Sequence, residues 1–147
     1  MDERTVSQSM SHKHVVRVGP EASVFEAACV MTAAKCGSVL VMEPPDLLLG
    51  IVTERDLMTR VLAKGVDPAR TSVREVMTAK PICVRPELPV SEAVVIMLER
   101  GFRHLPVVSG TRILGVFSAR DALPREIGTA MGIAEFNEQV NDALGGG

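Results

Sequence analysis

The sequence predicts an α+β, sandwich-like fold made of two tandem β-α-β-β-α repeats. Three observations predict it. The chain matches itself in order along its length, each copy places helical apolar spacing between short apolar runs, and hydrophobic residues make up 46% of the 147 positions. That share is ample for a common core and speaks against wholesale disorder.

The self-match runs in three stages. At an offset of 67, Val6, Met10 and Lys13 meet Val73, Met77 and Lys80. At 66, Pro20, Glu21, Val24, Glu26, Ala27 and Met31 meet Pro86, Glu87, Val90, Glu92, Ala93 and Met97. At 65, Gly50, Arg55 and Asp56 meet Gly115, Arg120 and Asp121. Each change of offset falls where a loop is expected. The copies are bounded at 5–64 and 72–125, joined by GVDPARTS and followed by a tail over 126–147.

Each copy then predicts its elements in order. Short apolar runs near 15–18 and 82–84, each closed by a proline turn, read as strands. A helix follows, with Val24, Ala27, Ala28 and Met31 in one copy and Val90, Ala93, Val94 and Met97 in the other. Ser23 with Glu26 forms a capping box, Pro89 holds the equivalent place, and Gly37 and Gly101 suit the helix ends. The Ala27 and Ala93 faces suit close helix packing. Next come two strands, SVLVM and LLLGIV, then HLPVV and RILGVF, whose nearly continuous apolar character predicts a covered sheet. A second helix opens at Thr53 and at Ser118. SVREVM before the second copy reads as a short helix, with TVSQSM as its counterpart. In the tail, Ile133, Phe136, Val140 and Leu144 form one helical stripe, weakened by Gly128 and Gly132.

Composition narrows the function. A formal charge of -2 leaves no cationic face for nucleic acid, and 3% aromatics with no Trp or Tyr leave few rings to stack on bases. Cys29, Cys36 and Cys83 are odd in number and read as small buried hydrophobes of a reducing compartment. The opening MDERTVSQSM has no signal-peptide core, and charge or proline breaks every apolar run before it could span a bilayer. A cytoplasmic location is expected.

The most specific local feature is the pair GIVTERD (Gly50 to Asp56) and GVFSARD (Gly115 to Asp121). Thr53 and Ser118 make good N-caps, with Asp56 and Asp121 at the third helical position, where a carboxylate favours the dipole. Such caps need no ligand. The same geometry also suits a nucleotide: a hydroxyl can donate to phosphate, a carboxylate can accept from a vicinal diol such as ribose, and Arg55 and Arg120 can add charge-assisted contacts.

This duplicated pattern, with its two signatures and the RHLPVV strand, resembles a tandem pair of CBS domains, also called a Bateman module, over about residues 5–125. The resemblance implies a pair packed with pseudo-two-fold symmetry and two clefts, each mixing elements of both copies. It implies that these clefts bind an adenosine-containing regulatory ligand: AMP, ADP, ATP, S-adenosylmethionine or NAD. Binding in such modules regulates an attached or partner protein, and such pairs commonly form homodimers. Carried onto this sequence, Asp56 and Asp121 become the ribose acids, and Thr53 and Ser118 the hydroxyls near phosphate. Adenine would meet Val15, Val16, Val39 and Leu40 from the first copy, and Pro81, Ile82, Leu105 and Pro106 from the second. The second copy has Arg103 and His104 where the first has Gly37 and Ser38. This difference predicts that the Asp121 site favours phosphorylated ligands and the Asp56 site is weaker or takes a less charged one. The plain alternatives are a solvated Arg103 and a partly buried strand residue at His104.

Other candidates are poorer. His12 and His14 are too few for a closed zinc site, and nothing orients Cys36 and His104 as nucleophile and base. P-loop, GxGxxG and HExxH patterns are absent. No catalytic residue, catalytic cofactor or metal is expected, and neither membrane nor nucleic acid is an expected partner. A dimerisation scaffold with vestigial sites is the competing function.

Overall fold

The structure is a computed structural model, described here for residues 3–10 and 14–144. It divides into two compact units that do not follow the linear order of the copies. One holds residues 14–82 with the hairpin tip Val108–Gly115; the other holds residues 3–10, Cys83–Val107 and residues 116–144.

In the first unit, four strands pair in sequence order: β1 (Arg17–Val18), β2 (Ser38–Glu43), β3 (Leu47–Thr53) and β4 (Thr78–Ala79). β1 runs parallel to β2, with Arg17 opposite Leu40, and the other pairs are antiparallel. Helix α2 (Val24–Ala34) starts at Ser23, whose hydroxyl accepts from the Glu26 amide at 3.0 Å. Its face Val24, Ala27 and Met31 packs with Val39, Val41 and Val52 in one core. The helix ends on Lys35 in a left-handed conformation, not on Gly37; a non-glycine residue there carries a steric cost. Gly101 does end the corresponding helix, with φ 75°.

The second unit is built on α5 (Val90–Arg100) and the base of the hairpin formed by β5 (His104–Ser109) and β6 (Arg112–Ser118), whose tip Val108–Gly115 counts with the first unit. The strand expected at 82–84 reduces to a single bridge, Val84 parallel to Val107.

The short leading helices are exchanged. α1 (Val6–Ser9) precedes the first copy yet sits in the second unit, where Val6 donates to the Leu88 carbonyl at 2.8 Å and Val90 to the Arg4 carbonyl at 2.9 Å. α4 (Val73–Val76) precedes the second copy yet sits in the first unit, where Val73 donates to the Ala22 carbonyl at 2.9 Å and Val24 to the Thr71 carbonyl at 2.8 Å. Val6, Val73 and Val76 are buried, so each unit's core is completed by the other copy's leading helix.

The second helices diverge. After Thr53, α3 (Glu54–Asp56) continues into a π-helical segment, Leu57–Leu62. After Ser118, only one 3-10 turn forms (Ala119–Asp121), and α6 (Pro124–Ala143) then starts afresh. Leu123-Pro124 explains the break: the residue before proline avoids the helical region, while proline suits the first helical position. The tail therefore belongs to a helix that starts anew at Pro124, at the end of the second copy. Ile133, Phe136 and Val140 lie on it, Leu144 is its C-cap, and all four are exposed.

Cys29 and Cys83 are exposed and Cys36 is intermediate, correcting the expectation of buried cysteines. Cys29 lies off the Val24–Ala27–Met31 stripe of α2, so helix geometry turns it outward.

Candidate functional site

The two signatures end in similar capped turns, Thr53–Asp56 in the first unit and Ser118–Asp121 in the second. Ser38 of β2 pairs with Thr53, and the Glu54 amide donates to the Gly37 carbonyl at 3.0 Å. In the second unit the Ala119 amide donates to the Arg103 carbonyl at 2.9 Å. Each hydroxyl–carboxylate pair thus sits where its last strand ends beside the start of the preceding one.

Both carboxylates cap their own turns. Asp56 Oδ2 accepts from the Thr53 amide at 2.9 Å and from its hydroxyl at 3.1 Å, and Asp56 Oδ1 lies 3.6 Å from Arg60 Nε. Asp121 Oδ2 accepts from the Ser118 amide at 2.9 Å, and the Ser118 hydroxyl accepts from the Arg120 amide at 3.3 Å. Asp56 is 7% exposed, whereas Asp121 is half-buried. The capping geometry anticipated from Thr/Ser-x-x-Asp is therefore present in both copies, more fully enclosed in the first.

Gly50 opens the first signature for a steric reason. A Cβ there would stand 2.7 Å from the Thr78 carbonyl oxygen and 2.6 Å from Met77 Sδ, so β4 can lie against β3 only over a glycine.

The remaining candidates divide by accessibility. Val15 and Val16 are half-buried, and the Val16 carbonyl accepts from Leu40, which places them at the end of the sheet where Thr53 lies. Val39, Leu40, Leu105 and Pro106 are fully buried and offer no surface to a ligand in this conformation. They occupy inner strand positions, where the covered sheet encloses both faces. Pro81 and Ile82 are half-buried and belong to the first unit; Leu105 and Pro106 belong to the second. Past β4, which runs antiparallel to β3, they head away from the Thr53 end. Arg55, Arg103 and Arg120 are exposed, and His104 is half-buried in β5. His12 lies outside the described residues, and no cluster of three or more metal-binding side chains occurs among the described ones.

Sequence spacing did not reveal Arg4. Its guanidinium donates to both Glu126 oxygens, at 2.8 and 3.2 Å, and to the Asp121 carbonyl at 2.8 Å. Glu126 is buried and also accepts from the Leu123 amide at 2.7 Å. The hydrogen bond from Arg4 holds the Glu126 carboxyl below its usual range, and Glu126 raises Arg4 in return. The segment before α1 thus clamps the turn that carries Asp121. Only the 122-residue separation hid it.

The chain belongs to the CBS domain family, whose model matches residues 6–63 and 73–126. It is 36% identical over 121 residues to the CBS domain-containing protein CBSCBSPB2 of Arabidopsis thaliana, covering 82% of this chain and 22% of that protein. The chain therefore spans about a fifth of that relative, and 60% of uncharacterized protein MK0525 of Methanopyrus kandleri, to which it is 31% identical over 118 residues, or 80% of this chain. Among solved structures, the CBS-domain containing protein ATU1752 of Agrobacterium tumefaciens is similar at TM-score 0.74 and 33% identity, with 80% of this chain and 95% of that one covered. The CBS domain protein PAE2072 of Pyrobaculum aerophilum, solved complexed with AMP, is similar at TM-score 0.74 and 26% identity, covering 84% and 95%. No helix among the described residues is long and apolar enough to cross a membrane.

Proposed function

We propose that this chain is a regulatory ligand-sensing module, not an enzyme, that binds an adenosine-containing compound and transmits its bound state to a partner protein. The observation that carries the proposal is the twice-built hydroxyl–carboxylate turn, Thr53 with Asp56 and Ser118 with Asp121. AMP is the first candidate, because a similar chain was solved with it; ADP, ATP, NAD and S-adenosylmethionine are the others. The carboxylates take the ribose diol, while Thr53, Ser118, Arg55 and Arg120 serve the phosphate side. The exposed Arg103, with His104 beside it, directs phosphorylated ligands to the Asp121 site. The greater openness of Asp121 supports that preference. Val15, Val16, Pro81 and Ile82, being partly accessible, are the apolar contacts retained in this proposal. The chain acts as a homodimer in the cytoplasm, and its regulated partner is a protein.

A second reading, a dimerisation scaffold without a ligand, draws support from the same turns: both carboxylates already serve their own caps. Thermal unfolding separates the two. A ligand at a hundred times its dissociation constant adds about 2.7 kcal/mol, which for a chain this size raises Tm by roughly 5–10 °C. AMP, ADP, ATP, S-adenosylmethionine and NAD are each added to nucleotide-free protein. A shift with at least one supports the sensor; none with any supports the scaffold.

A further inference from the structure

Arg60 is a residue that the ligand reading leaves unused. It lies in the π-helical segment after α3, four residues beyond Asp56. Its Nε is 3.6 Å from Asp56 Oδ1, and one terminal nitrogen donates to the carbonyls of Val76 at 2.9 Å and Met77 at 3.1 Å. Those two carbonyls close α4, the leading helix of the second copy, which sits here in the first unit's core.

The two oxygens of Asp56 are not equivalent. Oδ2 already accepts two donors from Thr53, so its two lone pairs are committed. Oδ1 is the oxygen left for an incoming hydroxyl, and it is the one that Arg60 faces. A planar guanidinium can hold a carboxylate and carbonyls at once. We propose that Arg60 is a positioning residue that couples the Asp56 carboxylate to the turn between α4 and β4. Occupation of Oδ1 and the state of residues 76–80 then bias one another, and the bias is reciprocal. The ligand half of this proposal rests on the adenosyl reading; the coupling itself does not.

Amide hydrogen exchange on the full chain tests it at Met77, whose amide donates to Val73 at 2.9 Å, and at Lys80, whose amide donates to Leu49 at 3.2 Å. Arg60→Ala and Asp56→Asn should each speed exchange at both amides by about 3–10-fold. The Ala27 amide in α2 is the control and should be unaffected. The double variant should do no more than the stronger single one, and Arg60→Lys should recover most of the protection. Additive effects, or unchanged exchange in either single variant, overturn the coupling.

The second arm adds saturating AMP. In the natural sequence AMP should alter exchange at Met77 and Lys80; in Arg60→Ala it should still bind, about 3–10-fold more weakly, and leave both amides unchanged. An identical AMP response in Arg60→Ala, or tighter binding there, overturns the positioning role. Failure of AMP and the other adenosyl compounds to bind at all overturns the sensor reading instead, while the ligand-free cycle still decides the coupling.

Discussion

A carboxylate oxygen has two lone pairs, and at Asp56 Oδ2 both face Thr53, through its amide and its hydroxyl. Replacing Asp56 with Ala leaves that amide without its partner in a nearly closed environment. A loss of about 1–2 kcal/mol is expected from urea unfolding, with a smaller loss for Asp121→Ala at its more open turn. Equal losses would contradict the difference in enclosure. The Arg4–Glu126 pair makes a second residue-scale prediction, with a definite sign. The folded-state pKa of Glu126 is lowered, mainly by the hydrogen bond from Arg4. Its stabilisation is therefore complete above the ordinary carboxylate range and fades as pH falls through the lower folded value. Arg4→Gln should flatten the loss of Tm between about pH 6 and pH 3; an unchanged slope would count against the pair. Sequence spacing announced the caps because their partners are three residues apart. It could not announce Arg4, whose partner stands beyond the other copy.

At the scale of elements, glycines separate close approach from mere permissiveness. Gly50→Ala pushes a methyl group into the Thr78 carbonyl, so about 1–3 kcal/mol should be lost and β4 should lose exchange protection first. Gly128 and Gly132 lie in α6 with nothing within 4 Å of an added Cβ. Alanine at either should stabilise by about 0.5–1 kcal/mol; a destabilised Gly128→Ala would contradict the open space beside α6. The long elements were legible because apolar spacing marks them: α2, α5 and the two hairpins stand close to where that spacing put them. β4 was not legible, since two residues carry no periodicity. The second copy's last helix departs from the pattern because Ser118 is a good cap, yet Pro124 resets the chain three residues after Asp121.

For the molecule as a whole, the repeat predicted two copies in linear order, whereas the compact units exchange their leading helices. Self-similarity shows which segments correspond but not which copy each one joins, because Val6 and Val73 are equally apolar in either seat. A fragment of residues 80–147, which lacks both leading helices, would keep the hairpin and α5 but lose α1, whose Val6 is buried against that unit. It should show no cooperative urea transition comparable to the full chain's, and full restoration by the fragment alone would refute the exchange.

The sugar contact is most directly tested by calorimetric titration of the full chain with AMP and with 2′-deoxy-AMP, side by side. Removing one hydroxyl deprives a carboxylate of a charge-assisted hydrogen bond, so the deoxy compound should bind about 10- to 100-fold more weakly. Replacing Asp121 with Ala should erase most of that difference. Equal affinity for the two compounds would contradict a sugar held by these acids.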